Sequence, residues 1–295
     1  MTKVKCNEKS EAIILNGVLG LTKIIAFQGE KGAFSHASVD ALFPNDEALP
    51  CETFEDCIIA VQSKKADFGV VPIENSLYGR IADIHHLLPE SGLFIVGEYY
   101  LPIAMNLLGK KGASLNDIKS VQSLSVALGQ CRKFISQHNL KRINAADTAG
   151  SARYVSEQSD ISLGAIASAL AAKIYGLEII KENIEDESHN TTRFLVLSKQ
   201  NIAAKQNDGL VKTSFVFRVR NVPAALYKVM GGFATNGVNM TKLESYMVDG
   251  SFTATQFYAD IEGHRDDKSV KLAFEELEFF TDYFQILGVY PVVKR

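Results

Sequence analysis

The stretch Asn190-Thr191-Thr192-Arg193-Phe194 sets two hydroxyls and a guanidinium ahead of an apolar run that continues to Leu197. Alone, it fits a strand edge, where β-branched Thr is common and an Arg points to water. A threonine hydroxyl can also donate a hydrogen bond that strengthens as charge builds on a leaving oxygen. A guanidinium can clamp a carboxylate bidentately. Other stretches carry comparable groups. Gly29 and Gly32 precede Ser35, a candidate helix N-cap, and free N–H groups at a helix start favour an anion. Neither GxxxxGK[ST] nor GxGxxG occurs there, so it is neither a P-loop nor a dinucleotide fingerprint. In Pro72-Ile73-Glu74-Asn75-Ser76, three polar side chains follow an apolar strand, either as a capped turn or as groups held in a cleft. Asp147 or Thr148 caps a helix of small residues. Glu74 is an alternative proton donor if burial raises its pKa.

The six histidines are His36, His85, His86, His138, His189 and His264. On a helix, His85 and His86 would point about 100° apart and could not easily share a metal. His189 could line a cleft, but packing or surface roles are expected for all six. No metal site and no cofactor is indicated.

These groups need positioning elements. Strands are predicted at Lys23–Phe27, Phe68–Val71, Phe94–Tyr99, Ser162–Ile166 and Thr192–Leu197. Helices are predicted at Ser35–Leu42, Phe54–Ser63, Ser125–His138, Ala149–Ser156 and Ala167–Tyr175. Near-continuous apolar strands alternating with helices predict parallel sheets in two lobes, with sites at strand carboxyl ends. Residues 198–210 read as a polar linker. Beyond it, strand Lys212–Arg218, helix Ala224–Asn236, strands Asn239–Met247 and Phe252–Ile261, helix Asp267–Thr281 and strand Phe284–Val289 give a ferredoxin-like β-α-β-β-α-β order. Asp249-Gly250 marks a hairpin.

A chain of 295 residues, 46% apolar and 22% charged, can hold two or three domains. Its net charge of −3 gives no basic excess for nucleic acid. Cys6, Cys51, Cys57 and Cys131 lack CxxC spacing, so reduced thiols in a cytoplasmic protein are expected. Lys3 and Lys5 precede the apolar run 12–21, but Glu8 and Glu11 intervene and Asn16 interrupts the run. That run is too short to span a bilayer, and residues 1–22 read as an extension rather than a transport signal.

Together, GxxGxFS, Pro-Ile-Glu-Asn-Ser, the helix-capping Thr148 and Asn-x-Thr-Arg-Phe resemble prephenate dehydratase, as do Gly164–Ile180 and the ferredoxin-like tail. The resemblance implies a bilobal α/β catalytic region over 23–199, like type 2 periplasmic binding proteins, then a linker over 200–211. It implies an ACT regulatory domain over 212–290. The implied reaction is decarboxylating dehydration of prephenate to phenylpyruvate in phenylalanine biosynthesis, by a cytoplasmic lyase without cofactor, metal, nucleic acid or membrane. Thr192 maps onto the family's essential threonine, and Arg193 is expected to hold a substrate carboxylate. Ser35, Glu74, Asn75, Ser76, Thr148, Asn190 and Phe194 are expected to bind substrate. L-Phenylalanine is the implied effector, at a pocket between paired ACT domains of a dimer or tetramer. Val222, Ala224, Ala225, Leu226, Asn239, Leu243, Glu244 and Ser245 are its expected lining. The family's Gly-Ala-Leu stands here as Ala224-Ala225-Leu226, and its Glu-Ser-Arg-Pro as Glu244-Ser245-Tyr246-Met247. Arogenate dehydratase and a non-catalytic ACT-linked sensor are the alternatives.

Overall fold

Two mixed α/β sheets organise the chain. The computed structural model describes residues 22–248 and 256–293; the expected Asp249-Gly250 hairpin and residues 1–21 lie outside these. The first lobe contains β1 (Ile24–Gln28), α1 (Phe34–Leu42), β2 (Glu47–Cys51), α2 (Phe54–Gln62), β3 (Phe68–Asn75) and β4 (Gly79–Arg80). It continues with α3 (Ala82–Glu90) and β5 (Phe94–Pro102). The chain then crosses into a second lobe of β6 (Asn106–Gly109), β7 (Ser120–Leu124), α4 (Ser125–Gln130), α5 (Arg132–Gln137) and β8 (Lys141–Ala145). That lobe ends with α6 (Thr148–Glu157), β9 (Leu163–Ala167), α7 (Ala169–Tyr175) and β10 (Glu178–Lys181). It returns to the first lobe as β11 (Thr191–Ser198). The two crossings touch where Ile103 N–H donates to the Asn190 carbonyl, 2.9 Å away.

The expected all-parallel sheets are corrected to mixed ones. β1 runs parallel to β2 and β3, but β11 is antiparallel to both β3 and β5. In the second sheet β7 is parallel to β8 and β9, whereas β6 opposes β9 and β10. A strand that returns from another lobe enters the sheet from the far end and so runs against its neighbours. Strand β2, carrying Glu47 and Pro50, escapes the apolar-run criterion because it is an edge strand, where proline is tolerated.

Local chemistry sets the helix ends. Thr53 and Asp56 form a reciprocal capping box on α2. Asp147 Oδ1 accepts from Gly150 N–H at 2.6 Å, so Asp147 rather than Thr148 caps α6. Ala33, not Ser35, is the N-cap of α1, and it makes no side-chain cap. The single helix expected over 125–138 is broken at Cys131, where Asp186 N–H captures the Gln130 carbonyl at 2.6 Å.

Residues 199–210 hold neither helix nor strand, yet they are tied down. Buried Ala204 donates to the Val289 carbonyl, and its own carbonyl meets His264 Nε2 at 3.1 Å. The remainder is β12 (Val211–Val219), α8 (Ala225–Thr235), β13 (Met240–Tyr246), β14 (Gln256–Glu262), α9 (Lys268–Phe280) and β15 (Thr281–Pro291). Its sheet order, β13-β14-β12-β15, is that of a ferredoxin-like unit, with Phe215, Phe217, Phe233 and Phe274 packed in its core. β15 meets β5 of the first lobe at Gly288, where a Cβ would collide with the Ile95 backbone.

Candidate active site

The antiparallel pairing of β11 with β3 places Thr192 directly opposite Asn75. Phe194 faces Pro72 while Arg193 faces Glu74, so Ile73 is an extra residue on β3. Such a bulge re-aims the strand end beyond it. The Asn75 side chain is fixed from both sides. Its Oδ1 accepts from the N–H groups of Leu77 and Tyr78, at 2.9 and 3.1 Å, closing an Asx turn. Its Nδ2 donates to Asn190 Oδ1 at 2.8 Å and to Thr192 Oγ1 at 2.9 Å. An oxygen that accepts from an amide keeps its own hydrogen for another acceptor. Thr192 is thereby oriented as a donor. Ser76 completes the brace, its hydroxyl donating to the His189 carbonyl and accepting from Thr191 N–H.

Arg193 lies on the other face, because neighbouring strand residues point to opposite sides. Its guanidinium is 2% exposed and donates to Glu98 Oε2 (2.8 Å), Glu74 Oε1 (2.9 Å), Asp260 and the Tyr290 hydroxyl (2.9 Å). Holding a substrate carboxylate is therefore corrected: Arg193 is committed to carboxylates of the protein itself. Asp186 and Glu187 are not its partners, since they face Lys133. Burial opposes the Arg193 charge, but the surrounding acidic groups outweigh it and raise its pKa.

Glu74 also departs from expectation. Burial pushes its carboxyl up, but Lys242 Nζ at 2.6 Å and Arg193 pull it down further, with a net lowering below the usual range. It is held as a carboxylate, which argues against Glu74 as the proton donor.

A cavity of about 150 Å³ opens beside this cluster, lined by Leu77, Tyr78 and Asn190, by Gln130, Arg132 and Lys133, and by the carboxylates Glu185, Asp186 and Glu187; Thr192 itself is not in its lining. Asn190 Nδ2 and Gln130 Oε1 are both buried and make no hydrogen bond among the described residues. Both residues line the cavity, so a small side-chain turn would bring this unused capacity to a polar ligand. Gln130 was missed in the sequence; a glutamine between Leu128 and Cys131 in an apolar stretch was the available signal.

Phe194 is corrected as a contact residue. It is 1% exposed and packs with Phe27, Val39 and Val70 in the core, so it supports the strand from within. Ser35 and Thr148 are buried at their helix starts. Among the described residues, no side-chain hydrogen bond joins either to the Asn75–Thr192 cluster. His189 is exposed beside Glu187, and His36 stacks on Phe27 while its Nδ1 accepts from Gly32 N–H. No group of three metal-ligating residues occurs among the described residues. None of their helices is long and apolar enough to cross a membrane.

The lobes are also joined away from the crossings. Glu30 takes a bidentate pair from Arg153, both contacts 2.9 Å, and Gly32 has no room for a Cβ against Ala171. Ser168 Oγ, which caps α7, donates to the Gly32 carbonyl at 2.6 Å.

The expected effector residues fall on the start of α8 and on β13. Val222 is exposed, and Asn239 donates to Glu262. Ala224 holds φ +64°, a left-handed conformation in which glycine is unstrained. Tyr246 is buried edge-on against His85 and His86 of α3 and accepts from Gln256 Nε2, so it braces β13 on the first lobe.

Two linked α/β lobes with a hydroxyl–amide cluster beside their junction, extended by a β-α-β-β-α-β unit, define a protein of the two-lobed α/β class with a candidate small-molecule site. The family profile described as prephenate dehydratase matches residues 25–202. A bifunctional N-acyl-homoserine lactone acylase/prephenate dehydratase of Komagataeibacter europaeus is 46% identical over 91% of this chain and 96% of its own. Arogenate dehydratase/prephenate dehydratase 1 of Arabidopsis thaliana is 40% identical over 91% of this chain and 72% of its own. The crystal structure of prephenate dehydratase in complex with L-Phe from Arthrobacter aurescens superposes with a TM-score of 0.83 at 29% identity, covering 91% of this chain and 90% of that one. The chain belongs to the prephenate dehydratase family, a family of lyases.

Proposed function

We propose that the chain converts prephenate to phenylpyruvate, with Thr192 hydrogen-bonding the departing ring hydroxyl. The observation that carries this is the Asn75 Nδ2 donor on Thr192 Oγ1, which leaves the threonine hydrogen for the substrate. In the reaction the C–CO₂⁻ bond breaks, its electron pair moves through the ring, and the C–OH bond breaks as the ring becomes aromatic. The departing oxygen takes up one proton and leaves as water. Threonine is too weak an acid to protonate that oxygen early, but its hydrogen bond strengthens as negative charge grows there. A preorganised donor of this kind is worth about 3–4 kcal/mol of barrier. Asn190 and Gln130 offer unused amide groups, and Arg132 and Lys133 are the cations along the cavity, where Glu185, Asp186 and Glu187 also lie and Lys133 faces the last two. The cavity is below the roughly 300 Å³ of a small-ligand pocket.

The β-α-β-β-α-β unit is assigned as an ACT regulatory domain binding L-phenylalanine between paired copies, with the α8 start and β13 as its lining. The order of elements supports this, as does the L-Phe complex of the Arthrobacter relative. Titration with L-phenylalanine should give binding heat and inhibition together; heat without inhibition refutes the coupling, and no heat at millimolar ligand refutes the pocket.

Substrate choice is decided by parallel assays of prephenate and arogenate, with an N-acyl-homoserine lactone as a third arm because the Komagataeibacter relative carries that activity in its name. Prephenate turnover is expected. Turnover of arogenate alone would reassign the substrate, and turnover of neither would leave a non-catalytic sensor as the better description.

A further inference from the structure

Six largely buried charges join the catalytic strand to the C-terminal unit. Glu74 of β3, Glu98 of β5 and Asp260 of β14 face Arg193 of β11, Lys212 of β12 and Lys242 of β13. Three carboxylates thus balance three cations. Lys212 Nζ holds both oxygens of Glu98 at 2.9 and 2.8 Å. Asp260 accepts from Ser214, whose hydroxyl also contacts that of Tyr290. None of these six residues lines the cavity beside Thr192; their link to that site is covalent, through the bonds from Glu74 to Asn75 and from Arg193 to Thr192.

Glu74 is where the network reaches the chemistry. One carboxylate oxygen is held by Arg193 and the other by Lys242, at 2.9 and 2.6 Å. The next residue is Asn75, whose amide orients the Thr192 hydroxyl. Ile73 bulges immediately before Glu74, and beyond it Glu74 and Asn75 pair with Arg193 and Thr192 of β11 and with Arg80 and Gly79 of β4, so the Glu74 clamp adds to the ladder in setting this strand end. Resting on the dehydratase assignment above, we propose that Lys242 and Arg193 are positioning residues for the elimination. By clamping Glu74 from β13 and β11, they fix the end of β3 and hold the Asn75 amide on Thr192. The C-terminal unit then contributes to the geometry of the catalytic site, and Lys242 sits between Thr241 and Leu243 on the strand assigned to the effector.

A positioning role lowers turnover without weakening substrate binding, because a misplaced donor loses transition-state contact first. Lys242 is the better probe, since Arg193 is too deeply buried to be replaced safely. In the full chain, Lys242→Met should lower kcat about five- to tenfold and leave KM within about twofold. Lys242→Arg should restore kcat to within about twofold of the unmodified chain. Glu74→Gln should lower kcat similarly, and the double variant should lose little more than either single one, since both changes break one linkage. The proposal is overturned if folded Lys242→Met keeps its kcat, if KM rises while kcat holds, or if the two losses multiply. Failure of the dehydratase assignment looks different: the unmodified chain would then turn over neither prephenate nor arogenate, and both proposals would fall together.

Discussion

The substitution Asn75→Asp tests the polarity of the site with almost no change in shape. The Asx turn survives, because a carboxylate oxygen can accept from Leu77 and Tyr78 N–H as the amide oxygen does. The other oxygen then stands where Nδ2 stood, 2.8 Å from Asn190 Oδ1 and 2.9 Å from Thr192 Oγ1. Asn190 can adapt by turning its unpaired Nδ2 toward the new carboxylate. Thr192 cannot adapt without cost: its hydroxyl must donate to that carboxylate and so turns away from the substrate. One lost transition-state donor corresponds to about 2.7–4 kcal/mol, or about 10²–10³ in kcat. The added negative charge should also raise KM for a dianion. Steady-state assays at neutral pH, with thermal denaturation as the control for folding, measure both effects. Lowering the pH should recover part of kcat as the introduced carboxylate gains a proton and becomes a donor. A kcat within about threefold of the unmodified chain would refute this orientation of Thr192.

Stability should show an acid limb from Glu74. Its folded pKa is depressed, so the ion pairs with Lys242 and Arg193 contribute fully above the unfolded value of about 4.3 and are lost as pH falls through the folded one. Chemical denaturation from pH 6 to 3 should show Glu74→Gln losing less stability across that window than the unmodified chain. Gly288→Ala should cost at least about 2 kcal/mol, because the new methyl meets the Ile95 backbone where β15 joins β5; unchanged denaturation would place that junction elsewhere. Ala224→Gly should stabilise by a few tenths to about 1 kcal/mol, since φ +64° strains alanine and the gain is offset partly by unfolded-chain entropy. A drop in melting temperature would contradict it.

Part of this architecture was legible because hydrophobic period survives folding: the strands and helices expected between residues 23 and 197 and the β-α-β-β-α-β order all fall on observed elements, whereas β2, β4, β6, β7, β8, β10 and α3, short or less regular in pattern, were not expected. Strand direction was not, since it depends on where the chain re-enters a sheet, and β11 re-enters after visiting the second lobe. Within the site, Asn75 and Thr192 were visible as polar residues at strand ends. Arg193 was misplaced because adjacency in sequence means opposition across a strand. A signal for its partner existed: Glu98 interrupts the apolar run from Phe94, and a buried carboxylate requires a cation. Lys242 and Asp260 could not be foreseen, for their pairing depends on how the C-terminal unit packs on the first lobe.

If the Thr192 hydroxyl lowers the barrier to departure of the substrate hydroxyl, its removal must slow the chemical step itself. Single-turnover rates on prephenate for Thr192→Ala and Thr192→Ser measure that step, with both variants shown to melt like the unmodified chain. Thr192→Ala is expected to lose about 10²–10³ in rate, the effect of one missing donor, while Thr192→Ser stays within about tenfold. A Thr192→Ala enzyme that retains the unmodified rate would contradict the assigned role, and would move the search for the donor to the groups around Gln130 and Asn190.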